Sequence, residues 1–269
     1  MAKKQNNEKR ILNCIPSRDT ARDWRIEHAV EAGLAAGPAA AIPASKDLRA
    51  AWWDIGNQGS TGSCVGWATA DAVLRWHFVT AGRLAKTKKL APRFTWMASK
   101  ETDQFNSYPT TVVESSGTWL KAALDVSRKF GAVLETTLPF QPEHLYQGSE
   151  ESFNVLAAQF KIGSYFNLSP APGNDVLANW RSWIANHGPI LVRLDVEATW
   201  DNAAATQGKL DVYQSNTRRG GHAVALVGYT PDRFIVRNSW GTTWGDKGFG
   251  YASLAYTRAA FTEAYGASL

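Results

Sequence analysis

Residues 57–64 read Asn57-Gln58-Gly59-Ser60-Thr61-Gly62-Ser63-Cys64, a Gly-rich turn that ends on a cysteine. From there apolar residues recur at helical spacing (Ala68, Ala72, Val73, Trp76) until Gly82. The spacing predicts a buried helix over Cys64 to Val79 with Cys64 in its first turn. At that position the helix dipole and the unpaired backbone N–H groups favour a thiolate over a thiol. An arbitrary cysteine is more often a small buried hydrophobe. Gln58 changes the balance. Its side-chain amide and the backbone N–H of Cys64 form a pair of donors suited to the oxyanion that appears when a thiolate attacks a carbonyl.

Two further segments supply what such a nucleophile needs. Gly220-Gly221-His222 opens the apolar run Ala223-Val224-Ala225-Leu226-Val227-Gly228-Tyr229, and the two glycines leave room for another backbone or a substrate beside the imidazole. A turn at Pro231-Asp232 and a second strand bring the chain back to Asn238, so the hairpin sets an amide beside His222 that can hold its tautomer and orientation. Ser239-Trp240-Gly241-Thr242-Thr243-Trp244-Gly245 follows. These tryptophans either shield the His222/Asn238 pair from water or simply pack the core.

Away from these segments, Thr118 to Phe130 and Asp175 to Asn186 read as helices closed by Gly131 and by Gly188-Pro189. Ile190 to Val196, Ala223 to Tyr229, Phe234 to Arg237 and Gly250 to Ser253 read as strands of a mostly antiparallel sheet. Helices first and strands later predict an α+β protein with a helical lobe and a β lobe. Residues 1–42 differ in texture. A charged start is followed by Asp19 to Leu34, with Ile26, Val30 and Leu34 on one helical face, and then by the Ala/Gly/Pro-rich stretch Ala35 to Pro43. The division expected is an N-terminal extension over 1–42, regulatory or propeptide-like, and a catalytic domain over 43–269.

The three chemical segments resemble the papain family of cysteine peptidases: a Gln-Gly-x-x-Gly-Ser-Cys helix start, a Gly-His-Ala-Val strand and an Asn-Ser-Trp-Gly-x-x-Trp-Gly turn, in that order. Asp47-Leu48-Arg49, Gly131 to Phe140 and Gly188-Pro189-Ile190-Leu191-Val192 are similar to structural segments of the same family. The resemblance implies a two-lobe fold in which a helical lobe and an antiparallel β-barrel-like lobe flank an active-site cleft. It also implies peptide-bond hydrolysis through a thioester acyl-enzyme. By the same resemblance Cys64 is the nucleophile, His222 the general acid/base, Asn238 its orienter and Gln58 the oxyanion donor. Trp240 would shield the His222/Asn238 bond, Ser116 and Gly117 would bind an extended substrate backbone, and Ala223 would line the cleft. Val65 stands where many members have tryptophan, and Thr61 where secreted members have a disulfide cysteine. The 42-residue extension is shorter than most helical propeptides. It is similar to the short extensions of some bacterial members that carry an Arg-Asp element, here Arg18-Asp19 or Arg22-Asp23, and such a segment is expected to lie over the cleft and restrain activity until it is cut in Ala35 to Pro43. Cys14, within it, is either a bystander or a thiol able to bridge Cys64 reversibly.

Composition excludes other classes. The chain has 269 residues, 44% of them hydrophobic, enough for a large core. Its 29 basic and 24 acidic residues leave a charge of +5, and the basic runs at Lys3, Lys4, Lys9 and Arg10 and at Arg83 to Arg93 lack interleaved aromatics, so no nucleic-acid partner is expected. His28, His77, His144 and His187 show no metal-ligand spacing, only two cysteines exist and no phosphate-binding loop is present, so neither a metal nor a cofactor is expected. With no apolar run of membrane-spanning length and no apolar h-region after Met1, a cytoplasmic protein, or one exported without a Sec-type signal, is expected. The partner expected is a polypeptide substrate. An acyl-transferring enzyme and a non-catalytic binding protein of the same fold remain alternatives.

Overall fold

The computed structural model describes residues 10–34, 41–102, 116–141, 143–144, 146–169 and 175–269. Lys3, Lys4, Lys9, most of the Ala/Gly/Pro-rich stretch and Ser115 lie outside the described residues. Among those described, the order is α1 (Ile26–Glu31), β1 (Lys46–Asp47), α2, α3 (Pro92–Thr102), α4 (Leu120–Lys129), α5 (Glu150–Ala158), β2 (Ser164–Asn167), α6 (Val176–Asn186), β3 (Ile190–Val196), β4 (Lys209–Leu210), β5 (Gly220–Tyr229), β6 (Arg233–Arg237), β7 (Phe249–Ser253), α7 (Leu254–Ala260) and β8 (Phe261–Ser268). Helix α2 starts as Cys64–Gly66, widens to π geometry over Trp67–Leu74 and finishes as Arg75–Thr80.

The α+β reading holds, and the sheet is mostly antiparallel. Its eight strands follow the path β2-β8-β3-β5-β6-β7-β4 with β1 added beside β5, and only β4 pairs in parallel, with β7. The path stays open, so the lobe is not the closed barrel its description as barrel-like suggests. Strand β5 explains how the lobes meet. Its side chains alternate between faces. Val224 and Leu226 join Trp180, Trp183 and Ile184 of α6 in one core, whereas Ala223, Ala225 and Val227 join Cys64, Ala68 and Ala72 of α2 in another. Alanines on both partners let α2 approach the sheet closely, and that approach places the start of α2 beside the start of β5. A third core under α3, α4 and α5 contains Phe94, Val126, Val133 and Phe153.

Several elements escape the periodicity argument for visible reasons. Helix α3 begins at Pro92, a favoured first helical position, yet buries Arg93, Thr95, Ser99 and Lys100, so its polar residues hide its apolar face. Arg93 donates to the carbonyls of Pro139, Gln141 and His144, and Lys100 sits 4.2 Å from the centroid of Trp96. Strand β8 pairs with both β3 and β2, but its buried positions include Ala264, Gly266 and Ala267, small residues of which Gly266 lies against Trp183, and they give no strong alternation.

A buried ion cluster joins the lobes. Arg237, the last residue of β6, donates to Asp71 in the π segment of α2 at 2.7 Å, both side chains being 2% exposed. Asp71 also accepts from Arg75 at 3.3 Å, and Arg75 reaches Asp54 at 2.8 Å. Trp53 lies under the Arg237 guanidinium at 4.9 Å and donates its indole N–H to the Asp71 carbonyl. Removing one partner of such a cluster strands the others in low dielectric. Asp71→Ala therefore lowers unfolding free energy by about 3–5 kcal/mol, measured as the shift of the urea midpoint at unchanged m-value.

Glu135 gives a second prediction. Burial pushes its carboxyl up to about 7 from the ordinary 4.5, although the Phe140 N–H donates to it. The folded state therefore holds this proton more tightly than the unfolded one. Its contribution to stability is complete below about pH 4.5 and is lost as the pH rises towards 7. Chemical unfolding at pH 5 and at pH 8 should show Glu135→Gln gaining on the parent by about 3 kcal/mol at the higher pH.

Candidate active site

The turn before α2 is held by its own polar groups. The Thr61 hydroxyl donates to the Gln58 carbonyl at 2.7 Å and lies 2.6 Å from Ser63 Oγ, so a hydroxyl closes the loop at the position where a disulfide cysteine was missed. Ser63 caps α2 without a side-chain hydrogen bond, which leaves the first N–H groups of the helix directed at the Cys64 region. Gln58 is fully buried and its amide is oriented from both ends: Oε1 accepts from Ser239 Oγ at 2.8 Å, and Nε2 donates to the Thr61 carbonyl at 3.0 Å. One Nε2 hydrogen then remains for an oxyanion.

The hairpin β5–β6 places Asn238 beside His222 as its length suggests. His222 Nε2 and Asn238 Oδ1 are 2.8 Å apart, sixteen residues from each other in sequence. Asn238 Oδ1 also accepts from the Ser239 N–H, which fixes the oxygen towards the ring and makes Nε2 the protonated nitrogen in the neutral imidazole. The remaining nitrogen, Nδ1, is buried without a completed hydrogen bond and interacts with the Cys64 sulfur. Trp240 covers the ring at a centroid distance of 4.9 Å, Trp200 meets it edge-on at 5.7 Å, and Trp244 stacks on Trp200 at 4.8 Å. These indoles belong to the same core as β3 and β5, so packing and shielding are one arrangement here.

Cys64 is wholly buried. The neighbouring Cys14 side chain and then the His222 ring and the Ala223 N–H hold Cys64 well below the usual thiol range, against the opposing effect of burial. Ala223 thus contributes a backbone donor as well as an apolar side chain. Burial and the adjacent Cys64 push Cys14 up.

The N-terminal segment runs across this site. Arg10 donates to the Gly59 carbonyl at 2.8 Å and lies 5.6 Å from the Trp240 centroid. Asn13 bridges Gly221, and a Cβ built on Gly117 would fall 1.8 Å from the Asn13 carbonyl. Cys14 donates its N–H to the Gly221 carbonyl at 3.0 Å, and Ile15 donates to the Thr118 carbonyl at 3.2 Å. Gly117 is therefore where a backbone lies close, although that backbone is the protein's own. Ser116 points its carbonyl at the Trp96 indole instead, at 3.0 Å. Beyond the cleft the segment is anchored to the body. Asp23 accepts from Asn167, Tyr265 and Lys121, and Ile26 and Ala29 enter the core with Phe166 and Trp183. The roles of Arg193 and Ser239 are not legible in the sequence; their partners lie far along the chain, which no motif records.

Among the described residues no group of three or more His, Cys, Asp or Glu is placed to hold a metal. His77 and His187, unpaired by spacing, do come together at one cavity beside Trp76 and Gly188, and burial followed by the nearby His187 takes His77 down to about 4.

Comparison with known proteins agrees with the fold. The model of the papain family cysteine proteases matches residues 42–262. A cathepsin L-like proteinase of Fasciola hepatica is 26% identical over 218 residues, covering 78% of this chain and 60% of the relative, and cysteine proteinase 1 of Dictyostelium discoideum is 25% identical over 251 residues, covering 90% and 62%. The chain thus spans about three-fifths of the length of these relatives. Among solved structures, xylellain, a cysteine protease from Xylella fastidiosa, superposes with a TM-score of 0.74 at 20% identity over 97% of each chain. Procathepsin L2 from the Tenebrio molitor larval midgut does so at 0.67 and 21% identity, over 95% of this chain and 77% of that one. On the family match, which spans most of its length, this chain belongs to the papain family of cysteine proteases.

Proposed function

We propose that the protein is a cysteine peptidase in which Cys64 attacks the carbonyl carbon of a peptide bond. The observation that carries this reading is that Cys64 opens a helix with the ring of His222 acting on its sulfur, while Ser239, next to Asn238, orients the amide of Gln58. His222 takes the Cys64 proton, giving a thiolate beside an imidazolium. As the thiolate adds, the carbonyl oxygen gains negative charge between the Gln58 Nε2 hydrogen and the Cys64 N–H. His222 then protonates the leaving amine, a thioester on Cys64 remains, and the same ring activates water to hydrolyse it. Asn238 keeps the ring aimed at the sulfur through both steps.

In this reading the N-terminal segment restrains the enzyme. Residues 10–15 occupy the space between Gly117-Thr118 and Gly220-Gly221 where an extended substrate would lie. A cut between 35 and 43 would leave residues 10–34 held only by non-covalent contacts such as the Asp23–Lys121 ion pair, so that the segment leaves in a separate step.

Two measurements test the reading. With a fluorogenic peptide library, Cys64→Ala abolishes turnover and Gln58→Ala lowers kcat by about 10²–10³-fold, the cost of one oxyanion donor. Retention of activity by Cys64→Ala would end the proposal. The double substitution Arg10→Ala with Ile15→Pro removes two anchors of the segment. It raises kcat/KM several-fold and speeds alkylation of Cys64 at about pH 5.5, where an ordinary thiol is protonated. Unchanged rates would mean that the segment does not restrain the cleft.

A further inference from the structure

The chain has two cysteines in 269 residues, fifty positions apart, and the fold brings them together at the reactive sulfur. Both are free and buried, Cys14 at 2% and Cys64 at 0% exposure, within one apolar cluster. The Cys14 sulfur lies 3.9 Å from the Ile15 carbonyl, and the two thiols act on each other, Cys64 pushing Cys14 up and Cys14 holding Cys64 down. Cys14 is held there from several directions. Its N–H donates to Gly221, its carbonyl accepts from the buried Arg193 Nε at 3.0 Å, and the next N–H donates to Thr118. Arg193 is itself held by Asp195 at 3.1 Å and Thr262 at 2.7 Å. Restraint would only require an apolar or bulky residue at position 14. Instead, a fixed backbone delivers a thiol to the one sulfur whose reactivity the enzyme must control.

We propose that Cys14 is a resolving cysteine, and that Cys14 and Cys64 form a reversible disulfide when a hydroperoxide oxidises the site. This rests on the reading of Cys64 as the nucleophile. The Cys64 thiolate attacks the terminal peroxide oxygen, breaking the O–O bond; sulfur is oxidised to a sulfenic acid, and the peroxide is reduced to hydroxide or alkoxide. The Cys14 sulfur then attacks the sulfenic sulfur. The S–S bond forms as the S–O bond breaks, and the Cys14 proton leaves with the departing hydroxide as water. The product covalently seats the restraining segment and spares Cys64 from irreversible oxidation. Reduction by a dithiol reverses it.

The test uses the full chain, treated with hydrogen peroxide in slight excess and then quenched. Peptide mapping without reductant should yield a Cys14–Cys64 linked pair lighter by two hydrogens, which dithiothreitol separates. In Cys14→Ser and Cys14→Ala the same treatment carries Cys64 on to the sulfinic acid, and activity regained on reduction is at least about tenfold lower than in the parent. Absence of the linked pair, with Cys64 reaching the sulfinic acid equally in parent and variants, overturns the proposal while leaving peptidase activity of the reduced protein intact. A linked pair in a protein that cleaves no peptide even when reduced supports the bond and removes the peptidase reading instead.

Discussion

The Arg237–Asp71 ion pair sets the geometry on which the site depends. Asp71 lies two turns into the helix that begins at Cys64, and Arg237 precedes Asn238. Closing that bond at 2.7 Å between two side chains with 2% exposure fixes the helix against the hairpin. Burying these charges is unfavourable on its own, and the cost is offset by the bonds of Arg75 to Asp71, Asp54 and the Trp52 carbonyl and of Arg237 to the Asp54 carbonyl, although Arg237 Nε stays buried without a partner among the described residues. Such a cluster has few alternative arrangements, so it specifies one docking of the lobes. The small side chains of Ala68, Ala72, Ala223 and Ala225 supply the close approach that the ion pair then locks.

With the lobes docked, polar groups from distant parts of the chain complete one another. Ser239 orients Gln58, and Gln58 N–H donates to the Ser239 carbonyl at 2.8 Å, so the amides of Gln58 and Asn238 hang from one short stretch. A change that moved the hairpin would therefore disturb the contacts of His222 and of Gln58 together. The tryptophans make the site stiff for a different reason. Trp200 and Trp240 are core residues that happen to touch the imidazole, Trp244 packs behind them, and core packing leaves all three little rotamer freedom.

The N-terminal segment belongs to this structure more closely than its composition suggests. The helical face read over Asp19 to Leu34 is present only as the short α1, and Asp19 is left-handed at φ 53°. What anchors the segment is largely polar: Asp23 with Lys121, Tyr265 and Asn167, and Ser17 with Glu263. Apolar periodicity does not report contacts of this kind, so the sequence marked the segment without showing its course. The same limit hid α3 and β8, one because buried Arg93 and Lys100 interrupt its apolar residues and the other because small residues such as Ala264 and Gly266 break its alternation.

By itself, the sequence determined the helix start at Cys64, the hairpin that returns Asn238 to His222, the glycines where backbone must come close, and the α+β order of elements. These are local properties: they follow from spacing, from backbone freedom and from the chemistry of each side chain. Tertiary structure alone decided that Asp71 meets Arg237, that Ser239 turns the Gln58 amide, that Arg193 holds the Cys14 carbonyl and that Cys14 reaches Cys64. Each of these joins residues far apart in the chain. Which distant polar groups meet depends on how two surfaces dock, and a docking geometry is fixed by the whole set of buried contacts and not by any one segment.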